Sequence, residues 1–218
     1  MKKDTMIIFD LDGTLWDSAV PVAEAWNEVF HREDPSLPEL TADDIHSVMG
    51  MTMKEIGEVL HPQFRGKARE KIFDECCRYE VEYLYGHPGT LYPALRETLR
   101  TLRDAGYTLA IVSNCQRGYV ESFLHGSGLG EWFADYEEWE RTGLTKGENI
   151  RLVMARNGFD KAVYVGDTRK DEKAANAAGI PFIHAAYGFG RAERPDGVIG
   201  AIRELPTLLE QTDHKKHE

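Results

Sequence analysis

The chain has 218 residues, 42% hydrophobic and 29% charged, with a formal net charge of −11 at pH 7. That length suits one large domain or a core carrying a smaller insert. The acidic balance argues against nucleic acid and anionic membrane surfaces as partners, because both need positive protein surface. A small anionic ligand, held by one local cluster of donors, is not excluded.

Thr5 to Phe9 is a short apolar run stopped by Asp10, Asp12 and Gly13, and it reads as a strand buried on both faces. From Ser18 onward Ala19, Val22, Ala23, Trp26, Val29 and Phe30 recur at helical spacing. "HREDPSLPEL" breaks that helix. "TADDIHSVMG" opens on Thr41 as a capping residue and stops at Gly50. "MKEIGEVL" and "KAREKIFDECCRYEVEYLYG" are further helical stretches, so residues 16–87 are expected to be all-helical. Beyond residue 88 the texture changes. Leu95, Leu99 and Leu102 form a helix stripe ending at Gly106, and "YTLAIVSN", "KAVYVGD" and "PFIHAAYG" read as strands. The helices "GYVESFLHGSG", "NIRLVMARNG" and "DEKAANAAG" alternate with them. Such alternation implies parallel βαβ units with right-handed crossovers. The expected architecture is a doubly wound, Rossmann-like α/β core of residues 1–15 and 88–218, with residues 16–87 as an inserted helical cap. The closing "QTDHKKHE" is expected to fray.

Three cysteines, Cys76, Cys77 and Cys115, make no disulfide framework: two are adjacent and the count is odd. The opening "MKKDTMIIFDLDG" has too short an apolar stretch for a signal segment, and no later run is long enough to span a membrane, so the expected location is the cytoplasm.

In an open parallel sheet, ligands bind outside the carboxyl ends of the strands. Three expected strand ends carry polar residues: Asp10-Leu11-Asp12-Gly13-Thr14, Ser113-Asn114, and Gly166-Asp167-Thr168 followed by Asp171. Lys146 lies between the second and third sets. If these strands are neighbours, at least three carboxylates converge, and each resists ionisation beside the others. A divalent cation relieves that penalty. An all-oxygen set with few protein ligands suits Mg²⁺, which keeps waters and takes a phosphate oxygen as well.

The ordered set "DLDGT", "SN", Lys146 and "GDTRKD" resembles the haloacid dehalogenase superfamily of phosphatases over nearly the whole chain. The insert after "DLDGT" is similar to the small helical cap of phosphoglycolate phosphatase-like members, and "AAYGFG" resembles the same enzymes. The resemblance implies a Mg²⁺-dependent phosphatase acting on a small phosphorylated metabolite, with phosphoglycolate one candidate. It implies that Asp10 is the nucleophile and becomes an aspartyl phosphate. Asp12 is implied as general acid and then base, with its backbone carbonyl on the metal. Ser113, Asn114, Gly13 and the adjoining Thr14 are implied to hold phosphoryl oxygens, and Lys146 to neutralise Asp10 and the phosphate. Asp167 is implied as a metal ligand, and Asp171 as a ligand through water or a support for the other ligands. Two departures stand out: Lys146 is followed by Gly147 where many relatives have proline, and "CQRGYV" follows Ser113-Asn114, which leaves Arg117 to touch substrate or face solvent.

Alternatives remain at this stage. A phosphosugar mutase of the β-phosphoglucomutase type shares the aspartate pair and the cap. A non-enzymatic receiver-like phospho-switch also has an aspartate after a strand, a hydroxyl residue and a lysine, but lacks the second aspartate and the large insert. A dehalogenase does not need Asp12. Phosphonate hydrolysis needs a cap lysine, and Lys54, Lys67 and Lys71 are not singled out by context. Gly50-Met51-Thr52 is either a loop reaching the site or a plain helix stop. Trp132 and Trp139 read as packing residues, Cys76 and Cys77 as apolar fillers, and Cys115 as a partly exposed thiol.

Overall fold

The computed structural model describes residues 3–51, 53–60 and 63–214. Its centre is a six-stranded, all-parallel sheet in the order β5-β4-β1-β6-β7-β8. The strands are β1 (Thr5–Phe9), β4 (Thr108–Ser113), β5 (Asp135–Glu138), β6 (Lys161–Gly166), β7 (Phe182–Ala185) and β8 (Gly197–Ile199). Because side chains alternate across a strand, β1 feeds both faces. Ile7 and Phe9 join one apolar cluster, and Met6 and Ile8 join the other. On the Met6–Ile8 face the cover is α8 (Lys146–Arg156) and α9 (Arg169–Ala178), which contribute Ile150, Val153, Ala174 and Ala175. On the Ile7–Phe9 face it is α5 (Leu95–Asp104), α6 (Tyr119–Ser127) and α10 (Leu205–His214), through Leu95, Leu99, Val120, Phe123, Leu205 and Leu209.

The chain leaves the sheet after β1 and returns before α5. Between these points lie α1 (Ala19–Glu33), α2 (Ala42–Val48), α3 (Met53–Val59) and α4 (Gly66–Gly86). The short strands β2 (Trp16–Asp17) and β3 (Thr90–Leu91) tie the outgoing and returning chains into an antiparallel ribbon. Trp26 and Phe30 of α1 meet Phe73 of α4 edge to face, with ring centroids 5.5 and 5.7 Å apart. As expected, Thr41 caps α2; Asp44 returns the bond to the Thr41 N–H at 2.8 Å, closing a capping box.

Four strands differ from the sequence reading. β2 and β3 have two residues each, and β2 opens with Trp16 the stretch expected to be all-helical. β5 is the acidic edge strand Asp-Tyr-Glu-Glu, and β8 has three residues. Neither carries an apolar run long enough to register as a strand. Helices α8 and α9 also start earlier than periodicity suggests, at Lys146 and Arg169, because Thr145 and Thr168 each close a capping box with Glu148 and Asp171. The helix α10 covers the first half of the stretch expected to fray, and residues 215–218 lie outside the described residues. Among the described residues, no helix is long and apolar enough to cross a membrane.

Candidate active site

Strand β1 sits between β4 and β6, and successive connections lead away from it to either side, so the chain reverses direction beside its carboxyl end. Such a switch point opens a crevice in doubly wound sheets. Asp10 follows the last residue of β1, Ser113 ends β4, and Asp167 follows β6. The three strand ends singled out in the sequence are therefore neighbours.

Asp10 is 4% exposed, and its Oδ1 accepts a hydrogen bond of 2.7 Å from Lys146 Nζ. The same ammonium donates to Asp171 Oδ1 at 2.6 Å. The first turn of α8 puts Lys146 there, and Gly147 lets α8 approach α9. A Cβ on Gly147 would lie 3.0 Å from the Ala174 carbonyl and 3.1 Å from Ala177 Cβ. The glycine that stands where many relatives have proline thus has a packing reason. Burial, and then the Asp171 charge, push the Asp10 carboxyl well above the usual carboxylate range, with Lys146 opposing them. Burial also works against the Lys146 charge, but Asp10 and Asp171 outweigh it and hold the ammonium well above the usual lysine range.

Carboxylate oxygens of Asp10, Asp167 and Asp171 lie within 4.8 Å of one another. Their remaining bonds separate the roles they can take. Asp171 Oδ1 faces Lys146, and its Oδ2 accepts the Thr168 N–H at 2.9 Å as part of the capping box. Asp167 Oδ2 accepts the N–H groups of Phe189 at 2.8 Å and Gly190 at 3.1 Å. Asp167 Oδ1 is buried without a hydrogen-bond partner. Burial, with Asp171 second, raises the Asp167 carboxyl to about 7. An orphaned carboxylate oxygen amid two further carboxylates is a set of hard oxygen donors short of positive charge, and it fits a divalent cation such as Mg²⁺.

Asp12 is held differently. Its Oδ1 accepts Trp16 Nε1–H at 2.9 Å, Ser18 Oγ–H at 2.7 Å and Tyr119 O–H at 2.9 Å. Burial raises its carboxyl, and the bonds from Ser18, Tyr119 and Trp16 oppose that rise. Gly13 adopts φ +78°, and a Cβ there would fall 2.4 Å from Asp167 Oδ2, so only glycine fits the turn. The Gly13 N–H, expected to face a phosphoryl oxygen, donates here to the Trp16 carbonyl at 3.0 Å and closes the turn. Thr14 is likewise turned inward, 0% exposed, and its carbonyl accepts the Tyr187 hydroxyl at 2.8 Å. Its hydroxyl is buried too, so Thr14 shapes the loop from below.

Ser113 is 5% exposed and lies opposite Glu138 in the parallel register of β4 and β5. Asn114, half-buried, opens the loop to α6. Glu138 braces that loop by accepting the Gly118 N–H at 2.8 Å and the Val120 N–H at 3.3 Å, and Glu140 accepts the Arg117 N–H at 2.8 Å. The Arg117 residue itself is exposed. A cavity of about 720 Å³ opens beside it, lined by Gln116, Arg117 and Trp139 and by Arg69, Phe73 and Arg78 of the insert. The Cys115 thiol lies 3.9 Å from Glu138, and burial holds its pKa well above the usual thiol value, which leaves it a thiol and not a nucleophile. Cys76 is fully buried, and Cys77 half-buried. Trp132 packs beneath Arg100 and Arg103. Lys67 and Lys71 are exposed, and the Lys54 side chain lies outside the described residues.

The end of α2 and the residues after it reach the loops at these strand ends. Gly50, at φ +74°, sits against Thr168: a Cβ there would lie 3.3 Å from Thr168 Cγ2. Met51 packs on the main apolar cluster, while Thr52 lies outside the described residues. His46 Nε2 contacts Asp17 at 3.0 Å, and the His46 ring lies 4.4 Å from that of Phe189. Sequence reasoning missed Ser18, Tyr119, Glu138 and Phe189. The only advance signal was "AAYGFG", whose backbone holds Asp167.

Residues 7–185 match the family model of the haloacid dehalogenase-like hydrolases. The phosphoglycolate phosphatase of Vibrio vulnificus strain YJ016 is 29% identical over 218 aligned residues, covering 92% of this chain and 93% of its own. That of Vibrio cholerae is 30% identical, with coverages of 96% and 97%. A crystal structure of a predicted phosphoglycolate phosphatase from Haemophilus somnus superposes with a TM-score of 0.80 at 22% identity, covering 95% of this chain and 99% of that one.

Proposed function

The chain belongs to the haloacid dehalogenase-like hydrolases and is a phosphatase, and on that premise we propose that it hydrolyses a small phosphorylated metabolite through an aspartyl phosphate on Asp10, with Mg²⁺ as cofactor. Phosphoglycolate is the first candidate substrate, because proteins named for that activity align over almost their whole length. Residues 16–87 act as the cap that encloses the substrate.

The observation that carries the reading is the Lys146 ammonium shared between Asp10 and Asp171 beside the orphaned Asp167 oxygen. Lys146 stabilises the ionised Asp10 that attack requires, against the burial that disfavours it. Its bond to Oδ1 fixes the carboxylate and leaves Oδ2 to attack phosphorus. Asp167, Asp10 and the Asp12 carbonyl would hold Mg²⁺, with Asp171 supporting through Lys146 and Thr168. When bound, the ion supplies charge neutralisation for the phosphoryl oxygens. Ser113 and Asn114 donate to those oxygens from the end of β4. Asp12 gives a proton to the leaving oxygen, and afterwards takes one from the water that releases phosphate.

The test is acid-quench labelling with a ³²P-labelled activated phosphate ester. Label is expected on the Asp12→Asn variant, which keeps the nucleophile, and not on Asp10→Asn. Chelation should abolish labelling, and added Mg²⁺ should restore it. Label retained by Asp10→Asn would overturn the reading.

A further inference from the structure

Among the described residues, the Asp12 carboxyl receives its side-chain hydrogen bonds on Oδ1 alone. Ser18 Oγ and Tyr119 OH lie 2.7 and 2.9 Å from Asp12 Oδ1 and 2.7 Å from each other, so three oxygens form a closed triangle. Trp16 Nε1–H adds a further donor to Oδ1 at 2.9 Å. The triangle has two hydroxyl hydrogens for three edges. With Asp12 ionised, both hydroxyls can point at Oδ1, and the carboxylate then receives three donors on one oxygen. With Oδ1 so crowded, the acid proton belongs on Oδ2.

The ring that bears the Tyr119 hydroxyl is held by its own packing as well as by Asp12. It opens α6 directly after the loop braced by Glu138, and it meets Trp16 edge to face at 5.9 Å. Tyr119 and Ser18 are both buried, at 3% and 0% exposure. A buried phenol and a buried serine converging on a single carboxylate oxygen are arranged for the charged form of that oxygen.

We propose that Tyr119 and Ser18 are positioning residues for proton transfer by Asp12, turning Oδ2 toward the leaving oxygen and stabilising the carboxylate that remains once the proton has gone. This rests on the reading of Asp12 as the general acid. In the step concerned, Asp10 bonds to phosphorus as the bond from phosphorus to the leaving oxygen breaks. The proton passes from Asp12 Oδ2 to that oxygen, and Asp12 is left anionic. The Tyr119 and Ser18 hydrogens then face the new charge without moving, so the site needs no reorganisation at that moment. Their contribution grows with the need for protonation, and a leaving group stable as an anion gains little from it.

The experiment measures kcat/KM, which covers only the steps up to departure of the leaving group and not the later hydrolysis of the aspartyl phosphate, on phenyl phosphate and p-nitrophenyl phosphate for the wild type, Tyr119→Phe, Ser18→Ala and Asp12→Asn. Each variant is compared with the wild type on the same ester, so differences in binding between the two esters cancel. Loss of a bond to a charged group predicts a fall of about tenfold to a hundredfold on phenyl phosphate for Tyr119→Phe. The fall on p-nitrophenyl phosphate should be no more than about threefold, because proton donation matters less there. Ser18→Ala should show the same split, and it keeps the test alive if Tyr119→Phe folds poorly. Equal losses on both esters in both hydroxyl variants, or no loss on phenyl phosphate, would overturn the proposal. If Asp12→Asn shows the split and the hydroxyl variants do not, only this proposal fails. If Asp12→Asn shows no split, the reading of Asp12 fails first.

Discussion

Asp167 and Asp171 are four residues apart, but their oxygens have different work. Both Asp171 oxygens are engaged, one by Lys146 and one by the Thr168 cap, whereas Asp167 keeps a buried oxygen with no partner. The two should respond differently to loss of charge. Asp167→Asn removes the open anionic donor and should abolish Mg²⁺ binding measured by titration calorimetry. Asp171→Asn leaves an oxygen for Lys146 but turns an amide toward the Thr168 N–H. It should weaken Mg²⁺ by about tenfold to a hundredfold, as changes to groups that orient ligands do. Equal abolition by both would show that Asp171 is itself a ligand. The sequence placed both aspartates beside a metal, but which oxygens were free depended on a capping box and on the Phe189 and Gly190 amides, and pair spacing alone does not reveal those.

At the scale of elements, strands buried on both faces were legible because their apolar runs are uninterrupted: Met6–Phe9, Leu109–Val112 and Ala162–Val165 are almost wholly buried. The edge strand β5 was not, since Glu137 and Glu138 are buried by specific partners and not by being apolar. Glu137 meets Arg156 at 2.9 Å, and Glu138 caps the start of α6. Helix α4 hides a similar exception. Glu80 is 4% exposed, and its Oε2 accepts the Trp26 indole N–H at 2.7 Å. Burial chiefly, with Asp12 adding, raises its carboxyl from 4.5 to about 8. The folded state therefore holds a proton that the unfolded chain releases near pH 4.5. As pH climbs from about 4.5 to 8, folding loses stability, and above about 8 the full penalty persists. Glu80→Gln keeps an acceptor for Trp26 and has no charge to bury. Its Tm should match the wild type near pH 4 and exceed it by several degrees at pH 9. A Tm difference independent of pH would show that Glu80 titrates alike in the folded and unfolded chains.

At the scale of the whole molecule, the insert packs on the core along α4 and α6, and it also reaches the loops over the strand ends through side-chain contacts of unequal worth. The Lys170–Glu55 pair, at 2.9 Å, is largely exposed and should contribute little once screened. The His46 contact differs because it joins three parts of the chain. His46 rises from α2, binds Asp17 in the ribbon, and lies against Phe189, whose backbone N–H holds Asp167. If the insert moves as the proposed cap, its closing packs a ring onto the segment that orients the candidate metal ligand. Opening it removes that packing but leaves the bonds within the core. His46→Ala should therefore favour the open arrangement without dismantling the catalytic carboxylates. For a metabolite that the cap must enclose, kcat/KM should fall by about tenfold or more, because closure excludes water and completes the surroundings of the leaving group. For p-nitrophenyl phosphate, which needs little enclosure, the change should be within about threefold, and Mg²⁺ affinity should stay near that of the wild type. Small-angle scattering of the variant should show a larger radius of gyration than the wild type when phosphate and Mg²⁺ are both present. A uniform fall on both substrates with unchanged scattering would mean that His46 acts on the chemistry and not on closure.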